Sequence, residues 1–432
     1  MSNVRPDYSE FKQGWRVVFA SLVGIGLGMS PVPFYTIGMF APELARQFHW
    51  PFGQIMGGLT VMTASVLISA PIAGWLADRF GVRKVVLTSI VLFGLSFSAF
   101  AATTGSLPLF YATWAIAAVG GAGTLPITWT RAVNNWFDVR KGLALGLSLV
   151  GTGLFGFLIK PLCAWLIATI GWRLTYLAIG AMPLGIALPI AWFFFYDTVS
   201  ASTSATPAAG ERAAAVASGL SFREVLREWR FWLLAFVFVP ISFAVGGPIP
   251  NMENILGMHG FDRASIATLV SFIGLSVIAG RLLGGWLIDR IWAPGVACVL
   301  LSMPAISCWL LASAVIDYPA ALMSIALIGF AAGVEYDLMA FLVARYFGMR
   351  AYASIYGALY GCFALGAGVG PLVFGMQFDK FHSYRPVLQV SALMLLGSAL
   401  LLLTLGRYRR FGPMAAADIL ATAERTADQL PI

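Results

Sequence analysis

The feature that most limits what this chain can fold into is a succession of long apolar runs, each closed by a short polar or charged turn. The runs fall near residues 15–42, 52–77, 85–104, 107–135, 142–169, 173–196, 231–256, 265–289, 294–316, 319–345, 351–378 and 385–406. As helices rising 1.5 Å per residue, they reach across the roughly 30 Å hydrocarbon core of a bilayer. Of 432 residues, 59% are hydrophobic and 11% charged, more apolar surface than a water-soluble fold of this length can hide. The chain therefore reads as an all-α membrane protein with twelve spans. Its first fourteen residues are polar and charged, with no removable leader pattern, so the first run is expected to remain a span.

The turns carry a second constraint, internal repetition. Gly74-Trp75-Leu76-Ala77-Asp78-Arg79-Phe80-Gly81-Val82-Arg83-Lys84 closes the second run, and Gly285-Trp286-Leu287-Ile288-Asp289-Arg290 closes the eighth, 211 residues later. At an offset of 210, Asn135-Trp136-Phe137-Asp138-Val139-Arg140 aligns with Arg345-Tyr346-Phe347-Gly348-Met349-Arg350, Gly123 with Gly333, and Pro161 with Pro371. A doubled set of helices is the organisation of secondary transporters. Residues 198–218 are small, polar and of low complexity, a linker. Ser221 and Glu224 then form a capping-box pattern, opening a short amphipathic helix over 221–230. The expected organisation is a six-helix bundle over 1–197, a linker with that helix over 198–230, and a second bundle with its tail over 231–432.

The net charge of +8 does not mark a nucleic-acid binder, because the basic residues sort by side. Arg79, Arg83, Lys84, Arg140, Lys141, Arg290, Arg345, Arg350, Arg407, Arg409 and Arg410 fall on one side, against Arg46, Arg173, Arg263, Lys380 and Arg385 on the other. By the positive-inside rule both termini are expected in the cytoplasm, in a multi-pass inner-membrane protein. Cys163, Cys298, Cys308 and Cys362 lie in apolar runs and read as packing residues. His49, His259 and His382 are scattered, so no metal or cofactor is expected. Nucleotide-binding, Ser-hydrolase and zinc-protease motifs are absent, which argues against an enzyme and leaves a gradient as the energy source.

Charge at membrane depth is costly and marks function. Arg281, eight residues before Asp289, lies about 12 Å in from the helix end; its planar fork suits a carboxylate. Lys160 has Gly370 as its repeat counterpart, so packing does not require its charge. It is read as a second basic site or as a side chain snorkelling to the interface. Glu335 and Asp337 replace the apolar Leu125 and Ile127 of the first copy and are candidates for proton coupling. Two residues apart on a helix, they cannot share a face. Tyr35, Thr124, Thr128, Tyr336, Tyr356 and Tyr360 are candidate cavity linings for an anion with an apolar body. Gly74, Asp78, Arg79, Gly81, Asp289 and Arg290 are assigned to gating and turn structure, with Arg131 as a latch toward Asp78. Pro31 and Pro33 are expected to bend the first span, and Asn251, Glu253 and Asn254 to contribute to an outer gate.

The first hairpin resembles the G-x-x-x-D-R-x-G-R-K loop signature of the major facilitator superfamily, with Val82 its loose position. Within that superfamily, Trp136-Phe137-Asp138-Val139-Arg140-Lys141-Gly142-Leu143-Ala144-Leu145-Gly146 is similar to the corresponding loop of the monocarboxylate-porter and oxalate/formate-antiporter branch. Arg281 matches that branch's carboxylate anchor. The chain departs from the branch at Tyr356 and Tyr360, where the oxalate exchangers carry a lysine, and at Val277, where the animal carriers have an acid. The resemblance implies two pseudo-symmetric six-helix bundles that move a small organic anion by alternating access. The expected carrier is a monomer and no enzyme, its partners the anion, a proton and the lipid bilayer. Proton symport is favoured, with anion exchange and efflux of amphipathic compounds as alternatives.

Overall fold

A computed structural model describes residues 9–137, 141–196, 219–348 and 350–408, almost entirely as helices. Among them, eleven helices are long and apolar enough to cross a membrane. One, Leu143–Phe194, has 52 residues, about 78 Å at helical rise and far longer than a bilayer is thick. It folds back at Gly171, whose φ of 78° and ψ of 162° are non-helical and favour glycine. It is thus two spans, and the molecule has the twelve expected.

Span one is two helices, Ser9–Gly26 and Pro31–Phe48. Span two is Phe52–Phe80, span three Val82–Ser98, and span four joins Leu107–Gly121 to Pro126–Trp136 through a short 3-10 turn. Lys141–Met182 holds span five and the start of span six, which ends in Leu188–Phe194. Span seven is Trp229–Gly246 with Pro248–Met258, and span eight Arg263–Arg290. Spans nine to twelve are Ala293–Leu311, Tyr318–Phe347, Tyr352–Phe381 and Arg385–Leu402.

The prolines act differently from the expected bend. Pro31, Pro126 and Pro248 each start a second helical segment, where a missing N–H costs nothing. The interruption lies just before them, so spans one, four and seven are broken while span ten runs unbroken. Thr124 fastens two of the breaks together. Its hydroxyl accepts from the Met29 backbone N–H at 3.0 Å and donates to the Gly121 carbonyl at 2.7 Å, and Trp129 donates to the Thr124 carbonyl. The amphipathic helix is shorter than expected. The Ser221–Glu224 capping box is present, but the helix is one turn, Phe222–Val225, and Trp229 begins span seven. Residues 198–218 of the linker lie outside the described residues.

The bundles meet through spans two and eleven, five and eight, and one and seven. Contact is tightest at the end opposite the charged hairpins. There Gly53 faces Gly375, and nearer mid-membrane Gly153 faces Gly274, so closely that any side chain would strike the facing backbone. Polar bridges cluster at the same end. The two oxygens of Asp379 in span eleven accept from the backbone N–H groups of Phe52 and Gly53, each at 2.7 Å. Thr60 donates to the Gly368 carbonyl at 2.7 Å, Arg263 donates to Glu43 at 3.5 Å, and Lys160 pairs with Glu253. Toward the hairpin end, Gly74, Gly146, Gly285, Gly357 and Gly361 have open space where a side chain would be.

Candidate functional site

Span eight positions Arg281 by its neighbours in sequence. Gly280 and Gly284 face span ten so closely that side chains there would hit the Phe330 backbone and Val334. This close approach turns Arg281 off the span-ten contact. The guanidinium is half-buried, and its Nε is buried without a hydrogen-bond partner. No carboxylate forms an ion pair with it among the described residues.

Around Arg281 both bundles contribute aromatic hydroxyls. Tyr35 of span one is buried, its ring covering Gly156 of span five. Tyr35, Tyr336 and Tyr356 all lie within electrostatic reach of the guanidinium, as does Asp337. Span eleven carries an aromatic ladder at helical spacing. Tyr352 and Tyr356 stack at 5.9 Å, Tyr356 and Tyr360 at 6.4 Å, and Tyr360 and Phe363 at 6.3 Å. Tyr336 of span ten packs on Phe363 at 4.7 Å and on Tyr360 at 6.1 Å. An uncommitted cation beside stacked rings can hold an anion whose body is flat and apolar.

The structure thus groups Arg281, Tyr35, Tyr336, Tyr356, Tyr360 and Asp337. Glu335 takes the other face of span ten, buried, with Oε1 unpartnered. Lys160 stands apart. It is wholly buried in an ion pair with Glu253, which removes the snorkelling alternative. Thr124 is committed to the breaks, and Thr128 is buried behind them on the second segment of span four. Asn251 and Asn254 tie span seven to span eleven and Tyr384, within the second bundle; of the three outer-gate residues only Glu253 bridges the bundles.

At the hairpins the repeat is matched in contacts. Arg79 lies over the Trp75 ring at 5.5 Å and Arg290 over Trp286 at 4.3 Å. Gly81 closes the first turn with a φ of 90°, Gly74 stands in open space, and Asp289 is exposed. Arg131 is exposed and engaged, but the expected brace falls on Asp78, whose side chain lies outside the described residues. Asp379 was not singled out from sequence. The available signal was that span two starts after Pro51, which provides no side-chain cap, so the first N–H groups of that helix need an outside acceptor.

The match to known proteins agrees with this architecture. Residues 23–371 match the family model of the Major Facilitator Superfamily. The chain belongs to that superfamily; it is a secondary transporter and not an enzyme. It is 26% identical over 342 residues to an uncharacterized MFS-type transporter, YhjX, of Escherichia coli, covering 78% of this chain and 81% of the relative. It is 29% identical to monocarboxylate transporter 11 of Mus musculus, covering 65% of this chain and 61% of the relative. It is 27% identical to the probable sulfoacetate transporter SauU of Cupriavidus necator, covering 51% and 53%. The last two matches thus span less than two thirds of those relatives.

Proposed function

We propose that this transporter carries a small organic monocarboxylate with an aromatic or otherwise flat apolar body, together with a proton. The observation that carries the reading is Arg281, a guanidinium held within a span, beside tyrosines from both bundles and without an ion-pair partner among the described residues. A lasting charge there is costly unless an anion answers it. Three relatives are named for organic acids, a monocarboxylate, sulfoacetate and galacturonate, which supports the anion class.

Asp337 supplies the coupling in this reading. It shares the field of Arg281, so its carboxylate and the substrate's compete for one guanidinium. A proton on Asp337 lets the substrate take the whole charge. Glu335, on the opposite face, is the reserve proton carrier. The basic hairpins face the cytoplasm, and the sealed end faces outward. Substrate meets Arg281 when either end parts, and the bundles rock around it.

The experiment is uptake of radiolabelled benzoate into proteoliposomes with an imposed pH difference. Accumulation without internal anion separates symport from obligate exchange. Arg281→Gln and Arg281→Lys are both expected to abolish uptake, because Lys lacks the planar fork. Normal uptake in either variant overturns the anchor assignment. Asp337→Asn is expected to keep counterflow and lose the pH drive.

A further inference from the structure

Lys160 and Glu253 form a buried ion pair between the two bundles, from span five to span seven, at the sealed end. Neither charge is demanded by the fold. Lys160 corresponds to Gly370 in the repeat. Pro31-Val32-Pro33 and Pro248-Ile249-Pro250 open equivalent segments of spans one and seven, which places Thr36 opposite Glu253. Thr36 needs no partner beyond its own helix, donating to the Val32 carbonyl. The Oε2 of Glu253 is buried with no hydrogen-bond partner, against Gly38 of span one, where any side chain would collide with it. The titratable groups facing the pair are Cys163 on span five and Tyr384 at the head of span twelve.

We propose that this pair is a second anion and proton site, used when the sealed end opens. The inference rests on the carboxylate-carrier reading. In the present state the Glu253 carboxylate occupies Lys160. When the bundles part, the two charges travel with different bundles, and each loses the opposite charge that answered it. An incoming carboxylate then binds Lys160, and a proton from the outer solution neutralises Glu253. One anion and one proton restore the balance together. The gate is therefore a coupling point, and Lys160 is the outer docking site on the way to Arg281.

Cys163 is a native reporter. It is fully buried one turn along from Lys160 and senses both charges. In protein whose other cysteines are replaced by alanine, its reaction with an impermeant maleimide from outside is followed in oriented vesicles. Rates are normalised to the denatured protein at the same pH, which removes the titration of the thiol itself. Acidification from about pH 7.5 to about pH 5.5 should raise the normalised rate about tenfold or more. Benzoate should raise it further. Glu253→Gln should label fast and without pH dependence, Lys160→Gln should lose the benzoate effect, and the charge-swapped double variant K160E/E253K should reseal the gate.

A wild-type pH response in Glu253→Gln overturns the proposal. So does an unchanged benzoate effect in Lys160→Gln, or the absence of labelling at any pH. Failure of the carboxylate reading itself would look different. Benzoate and other carboxylates would then leave the native protein unaffected, while the acid-driven opening would still follow Glu253.

Discussion

Asp379 offers a direct measure of how firmly the sealed end is held. Its carboxylate accepts two backbone N–H bonds of 2.7 Å at the start of span two, in the opposite bundle. Hydrogen bonds to a charged group are worth about 1.5–3 kcal/mol each, and a carboxylate at a helix N-terminus adds about 0.3–1 kcal/mol. Asp379→Asn keeps one acceptor oxygen, loses the other and removes the charge. Discounted for the partial exposure of the site, the loss is about 2 kcal/mol, or about thirtyfold in the ratio of sealed to parted molecules. Spin labels at the exposed positions Gln54 and Lys380, on the two sides of the seam, report this ratio as a distance distribution by double electron–electron resonance in nanodiscs. The Asn variant should move population to longer distances, and Asp379→Glu, which keeps the charge, should move it less. A distribution identical to the unsubstituted protein's would refute the view that this cap holds the bundles together.

Three further outcomes follow from contacts elsewhere. Thr124→Val removes the acceptor of the Met29 N–H and leaves that donor buried, so thermal unfolding should show a loss of about 2 kcal/mol. Gly274→Ala places a methyl against the backbone of Gly153 and Phe157, so the same spin-label pair should report parting without any change in charge. At the outer turn, Asp262 caps span eight, and hydrogen bonds from Ser265 and Ala264 hold its carboxyl below the usual value of 3.8. Its lowered pKa means that the cap's contribution is present above that value and disappears as pH falls through the folded one. The protection of the Ala264 and Ser265 amides against hydrogen exchange, taken relative to the unfolded chain at the same pH, should fall in that acidic window, and Asp262→Ala should remove the dependence.

The architecture was legible because length, hydropathy and the repeated hairpin all act locally or at one fixed offset. Arg281 was legible for a related reason, since a permanent charge inside an apolar run has few explanations. Its tyrosine surroundings could be nominated one by one, but their grouping depends on how four spans rotate, which no single run encodes. The Lys160–Glu253 pair shows the limit more sharply. Both residues were visible, each with its own reading, while their contact depends on the docking of two bundles. Asp379 lay hidden because its partners are backbone N–H groups, which carry no signature in side-chain sequence. The interruption of span one was read as a bend at Pro31 and Pro33, whereas Pro31 starts a helix segment and the break lies just before it; the breaks of spans four and seven were not anticipated.

The unbroken course of span ten has one more implication. At the depth where span four interrupts its ladder and turns Thr124 and its carbonyl to other groups, span ten satisfies its own backbone and presents Glu335, Tyr336 and Asp337 instead. The first copy therefore spends its polar groups here on fixing its own backbone, and no change of acidity alters those bonds. The second copy carries Asp337 beside Arg281 and Glu335 on the opposite face, carboxyl groups whose charge a single hydrogen ion can erase, so duplication has left one copy with invariant polar groups and one with adjustable ones at the same register.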